Sequence, residues 1–105
     1  MIPLKTIEEL ITRHNNLEKD LSSSEIDKKL FAEKSKEYSD LNEVIDFARE
    51  YNSFDQEKKE LEKILNDSLA DEELKKMAEL ELVELKARHE LNEKKLKLFL
   101  LPKDE

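Results

Sequence analysis

Residues 71–101 read DEELKKMAELELVELKARHELNEKKLKLFLL. Neither glycine nor proline interrupts the run until Pro102. Leu74, Ala78, Leu82, Leu85, His89, Asn92, Leu96 and Phe99 recur at the spacing of one helical face. Met77, Leu80, Val83, Ala87, Leu91 and Leu98 form a second stripe. Two stripes predict two neighbours, the preceding long helix and the N-terminal helices. Asp71, Glu72 and Glu73 stand at the start, where the helix dipole favours anions. Pro102 stops the helix by pushing Leu101 toward extended backbone. A helix over about 71–100 is expected, roughly 45 Å long at 1.5 Å per residue.

Working back along the chain, Asn66 to Ala70 reads as a turn. Before it, Val44, Phe47, Tyr51, Phe54, Lys58, Leu61 and Leu65 alternate steps of three and four. That unbroken phase runs through Asn52-Ser53 and predicts one helix over about 36–66, with Phe54 in the core. Lys58 packs its stem and keeps its ammonium in water. The short connection between the two long helices makes them antiparallel neighbours. Thr6 and Glu9 form a T-x-x-E capping box, which opens a first helix over about 6–21. Ile7, Leu10, Ile11, His14, Leu17 and Leu21 give it an apolar face. Ser22-Ser23-Ser24 breaks this pattern and supplies a cap for a second helix over about 24–34, carrying Ile26, Leu30 and Phe31. The expected fold is all-α: an elongated antiparallel hairpin of two long helices, with shorter N-terminal helices packed against it.

Composition restricts the chemistry. The chain has 105 residues, no glycine and no cysteine. Phosphate-cradling loops and nucleophile elbows need glycine, so those classes are excluded from these residues. A disulfide or thiolate metal site is excluded too, and a reducing, cytoplasmic setting is expected. Net charge is −8, from 27 acidic and 19 basic side chains. That balance argues against a grip on DNA, which needs clustered Lys and Arg. High charge is also a mark of disorder, but the regular apolar spacing opposes that reading. No apolar run approaches the length of a membrane span.

Individual residues give few chemical leads. His89-Glu90 begins like a zinc-protease helix, but Glu93 stands where the second imidazole is required. His14 lies on an apolar face and reads as a packed histidine. The Asp71-Glu72-Glu73 cluster lacks the glycine-containing turn of a calcium loop. Phe47, Tyr51 and Phe54 lack the basic groove of a base-stacking platform and read as core. Asn66-Asp67-Ser68 matches a glycosylation sequon, yet reads as a helix-ending turn. Catalytic, cofactor-binding and metal-ligating residues are all expected to be absent.

Three stretches carry a family resemblance. Ser35-Lys36-Glu37-Tyr38-Ser39-Asp40-Leu41 is like an S-K-E-Y-x-x-L segment. Residues 71–82, with Glu73, Met77 and Ala78, are like D-x-E-(M/L)-x-x-M-A-x-x-E-L. Leu100-Leu101-Pro102-Lys103-Asp104 is like a closing L-L-P-K-D. In this order and spacing they resemble the N-terminal region of bacterial-type class 1 peptide chain release factors, closer to the branch that reads UAA and UAG. The resemblance implies an accessory helical domain of a translation termination factor. It implies a ribosomal partner near the large-subunit stalk base and protein L11, and a link to the GTPase that recycles the factor. Family members hydrolyse peptidyl-tRNA with a G-G-Q loop and read the stop codon with a P-x-T tripeptide. Neither motif occurs here, so no catalytic or codon-reading role passes to any residue, and both domains are expected to be absent. The alternative is a stand-alone coiled-coil adaptor. Alone in solution, the chain is expected to be a monomer or a weak dimer.

Overall fold

Pro3 sets the direction of the chain at its start. Its backbone (φ −59°, ψ 135°) lies just outside the helix, and its carbonyl accepts from the Thr6 and Ile7 amides at 3.0 and 3.3 Å. The first helix, α1, therefore spans Leu4–Leu21. It is followed by α2 (Lys28–Asn42), α3 (Ile45–Leu65) and α4 (Glu72–Leu100). This computed structural model describes residues 1–23 and 25–102. Its extents are 60 × 34 × 19 Å, an elongated body. The long helices α3 and α4 lie antiparallel, joined by a short turn, and α1 packs on α3. Helix α2 folds back on α1 and meets α3 at the corner between them. The expected all-α hairpin with shorter N-terminal helices is the observed fold.

Several expected boundaries are corrected. The Thr6–Glu9 capping box does not form, because Pro3 already starts the helix and Thr6 falls inside its first turn. The second helix opens at Lys28 rather than at the serines. Its N-cap is Asp27, whose carbonyl accepts from the Phe31 amide at 2.8 Å. The expected cap at Ser24 lies outside the described residues. This helix then runs through Ser35 to Asn42, so the boundary expected at residues 34–36 is absent. Nothing in Lys28–Asn42 forces a stop there: the stretch holds neither proline nor glycine.

The true corner is Glu43-Val44. Its amides bond to the carbonyls of Asp40 and Leu41 at 3.3 and 3.0 Å, a tight i→i+3 turn. Val44 (φ −121°, ψ −3°) then N-caps α3 through the Ala48 amide at 2.9 Å. The single helix expected over 36–66 is thus two helices. The apolar phase that suggested it begins at Val44, so it describes α3 alone. Turning without positive φ explains why the corner needs no glycine. As expected, α3 passes through Asn52-Ser53 without a break.

The opening of α4 follows its sequence more closely. Asp67 Oδ1 accepts from the Leu69 amide at 2.9 Å in the preceding turn. The Asp71 carboxylate accepts from the Leu74 amide at 2.7 Å and satisfies one free donor of the new helix. Ala78, Leu85, Asn92 and Leu96 on the main stripe are buried. The second stripe is not. Met77, Leu80, Val83, Leu91 and Leu98 are 51–70% exposed, which corrects the expectation of two neighbours. Helix α1 joins α4 through the buried cluster that holds Ile7 and Leu96.

There the core closes. Ile2, Ile7, Val44, Ala48, Tyr51 and Leu96 form one buried cluster, with Leu10, Ile11, Phe47 and Phe99 packed around it. The Ile2 amide donates to the Tyr51 hydroxyl at 3.0 Å, which ties the chain start to α3. Leu17 is fully buried in α1, and Leu41 is buried at the α2 end. Phe54, expected in the core, is only half-buried. Leu30 and Phe31 are each 46% exposed on α2.

Truncating the two stripes of α4 should give different costs. Leu96→Ala, in the closed cluster, is expected to lose about 2–5 kcal/mol in urea denaturation. Leu80→Ala, on the open face, should change stability by no more than about 0.5 kcal/mol. Equal losses would contradict the assignment of the buried face.

Candidate functional site

Three polar clusters decorate this helical frame. The first clasps α2 to α1. The Arg13 guanidinium forks onto the Glu37 carboxylate, whose second oxygen lies 3.0 Å from Nη2. That hydrogen bond raises the Arg13 pKa. Lys34 Nζ reaches Asp20 at 2.7 Å, and the Tyr38 hydroxyl donates to Glu18 at 3.1 Å. The Tyr38 ring stacks on His14 with centroids 4.8 Å apart. His14 is buried and its Nε2 donates to Asn42 Oδ1 at 2.6 Å.

These contacts give the segment from Ser35 to Leu41 a structural reading. Its residues repeat at helical spacing on α2, so Glu37, Tyr38 and Leu41 turn toward α1 or the corner while Lys36 faces water. Ser35 is half-buried between them. His14 is a packed side chain here, and its Nδ1 has no hydrogen-bond partner among the described residues.

A second cluster lies midway along the α3–α4 seam. His89 is half-buried and stacks on both Tyr51 and Phe54, at centroid distances of 4.5 and 3.7 Å. Buried Asn92 donates to Glu50 at 2.8 Å. Glu57 and Arg88 complete the small cavity around this group. Toward the distal tip the seam opens into a shallow groove lined by Glu57, Glu60, Glu81 and Glu84, with Arg88 as its basic member. Such an acidic groove attracts cationic surfaces and repels phosphate.

The third cluster surrounds the chain start. Glu93 accepts from Lys97 at 2.9 Å and from the Met1 ammonium at 3.0 Å. The Lys97 hydrogen bond, followed by that of Met1, lowers the Glu93 pKa to about 2. Lys95 sits over the Phe47 ring, 4.3 Å from its centroid. The run Lys94-Lys95-Lys97 is therefore divided: two lysines have partners in the fold and Lys94 is exposed. Apart from the Glu93–Lys97 pair, four residues apart on one helix, the pairings in these clusters were not visible beforehand, because their partners lie far apart in sequence.

The other motif residues separate on the surface. Ala78 is buried against α3, Glu73 is exposed and Met77 is 60% exposed. Leu101 and Pro102 are exposed beyond α4. Lys103 and Asp104 lie outside the described residues. Among the described residues, no group of three or more His, Asp or Glu side chains could hold a metal ion, and no helix is long and apolar enough to cross a membrane.

Residues 10–105 match the family profile of the PCRF domain. This chain belongs to the PCRF domain family of peptide chain release factors. Along its whole length it is 72% identical to peptide chain release factor 1 of Pelagibacter ubique, covering 29% of that relative. It is 38% identical over 94 residues to peptide chain release factor 1 of Alkaliphilus oremlandii, covering 88% of the chain and 26% of the relative. The corresponding factor of Oceanobacillus iheyensis is 36% identical over 103 residues, covering 96% of the chain and 29% of the relative. This PCRF domain thus spans less than a third of the relatives it matches. No solved structure gives a significant match.

The Glu93 cluster has a defined acid response. The Glu93 pKa is lowered from 4.5 to about 2, so the unfolded chain binds the proton first as pH falls. Its contribution is therefore present above about pH 4.5 and lost as pH falls through about 2. The stability difference between the native domain and Glu93→Gln should shrink over that window in urea melts. A difference independent of pH would contradict this.

Proposed function

We propose that this PCRF domain is a non-catalytic part of a translation termination factor and helps position that factor on the ribosome. The observation that carries the reading is the 72% identity to a release factor 1 along the whole chain. The fold supplies a physical reason for a positioning role. It is an elongated helical lever, 60 Å in its longest dimension, with polar pairs such as Arg13–Glu37, Tyr38–Glu18 and Asn92–Glu50 joining its helices. Its histidines are stacked against aromatic rings, as packed side chains are.

In this reading the partner is the large-subunit stalk base near protein L11, with the recycling GTPase as a further contact. The acidic α3–α4 groove suits a basic protein surface better than bare rRNA. The activity of the whole factor is release of the peptide at UAA and UAG codons. Hydrolysis would come from a glycine-bearing loop outside these 105 residues, since this chain has no glycine. The setting is the cytoplasm, where ribosomes terminate synthesis.

A release assay separates these roles. Ribosomes carrying peptidyl-tRNA with UAA in the decoding site should lose no peptide above blank when given this domain alone. The domain fused ahead of the remaining length of the Pelagibacter factor should restore release. Hydrolysis by the isolated domain, or an inactive fusion that is correctly folded, would overturn the reading.

A further inference from the structure

The exposed face of α4 has an internal symmetry that its buried face lacks. Met77, Leu80, Glu84, Ala87, Leu91, Lys94, Leu98 and Leu101 follow one another in alternating steps of three and four. All eight are exposed; Glu84 also stands on the rim of the α3–α4 groove, and Leu101 follows directly on the last residue of α4. Leu98 and Leu101 continue as one apolar patch with the stems of Lys94 and Lys97. This is a second seam on a helix that already has one partner.

Its order is palindromic in chemical type. Lay a second α4 antiparallel across the first, with the two-fold axis at position 89. Met77 then faces Leu101, Leu80 faces Leu98, Ala87 faces Leu91 and Glu84 faces Lys94. Apolar side chains meet apolar ones, and the two charged positions meet their opposites. Ala87 opposite Leu91 sets small against large at the layers nearest the axis, which allows interdigitation. Glu81 and Lys95 stand opposite each other along one flank. Shifting the register by a heptad loses the Glu84–Lys94 match.

We propose that this face is a self-association surface, on which a second copy of the chain docks through an antiparallel α4–α4 pair. The seam runs about 36 Å from Met77 to Leu101 at 1.5 Å per residue. Two charged positions and an alanine interrupt it, and Arg88 and Glu90 meet their own copies near the axis. The association is therefore weak and reversible, in the class of small transient interfaces. It does not depend on the proposed role in termination, and the release assay does not test it.

Sedimentation equilibrium of the chain between roughly 1 and 500 μM covers the range expected for such an interface. A monomer–dimer equilibrium is expected. Glu84→Lys and Lys94→Glu should each weaken it by about tenfold or more, because each sets like charges opposite one another. The double exchange should return it to within about threefold of the native chain, since it restores opposite signs at both layers. Orientation is tested by cysteines, as the chain has none of its own. Chains carrying Ala87→Cys and chains carrying Leu91→Cys should form the mixed disulfide faster than either self-disulfide. Unchanged thermal unfolding monomers would confirm that these exposed substitutions leave the fold intact. A chain monomeric throughout the range overturns the proposal and leaves the face to another protein or to a longer polypeptide. So does a double exchange no better than the single ones, or preferred self-disulfides.

Discussion

The Tyr51 hydroxyl, accepting from the Ile2 amide, marks the point on which the three-helix arrangement depends. Around it, side chains from the chain start, α1, α3 and α4 close one apolar cluster. Elsewhere the helices meet in pairs: α2 on α1, and the distal half of α4 on α3. A chain without disulfides must fix its helix directions by such packing and by short turns. Pro3 contributes by delivering Ile2 to that cluster, and the Glu43-Val44 corner by delivering Val44 and Ala48. The polar clasps then set register rather than supply most of the stability, since exposed ion pairs are each worth under about 1 kcal/mol.

The sequence was most readable where one apolar stripe faced one neighbour. The residues Ala78, Leu85, Asn92 and Leu96 are buried on the face their spacing indicates, and the phase from Val44 to Leu65 runs the length of α3. It was least readable at the α2–α3 corner. That turn uses ordinary right-handed geometry and leaves no glycine or proline as a sign. The boundary expected between residues 34 and 36 was misleading in the opposite sense: Ser35 sits within α2, between Lys34 and Glu37 with their bonds to α1. Thr6 and Glu9 carried the letters of a cap, but Pro3 had already fixed the entry.

The second stripe of α4 shows what periodicity cannot decide. An apolar face indicates a preference for burial, and the partner need not be within the same fold. Inside this domain the stripe finds none. The same limit applied to the functional clusters, where Arg13 with Glu37, Glu50 with Asn92 and Met1 with Glu93 are joined only by the tertiary fold. Family membership was legible because it rests on ordered local segments, which need no knowledge of the contacts between helices. Those segments proved to lie on different surfaces, with Tyr38 in the α1–α2 clasp, Ala78 on the buried face of α4 and Leu101 exposed just past its end.

Native-state hydrogen exchange tests most directly whether the Tyr51–Leu96 cluster holds the fold together. The slowest amides should lie in α3 between about 48 and 55 and in the facing part of α4 between about 89 and 97, opening only with global unfolding. Amides of α2 and of the distal α3–α4 tip should exchange through smaller openings. If α2 or the distal tip held the slowest amides instead, the cluster would not be the element on which the structure depends.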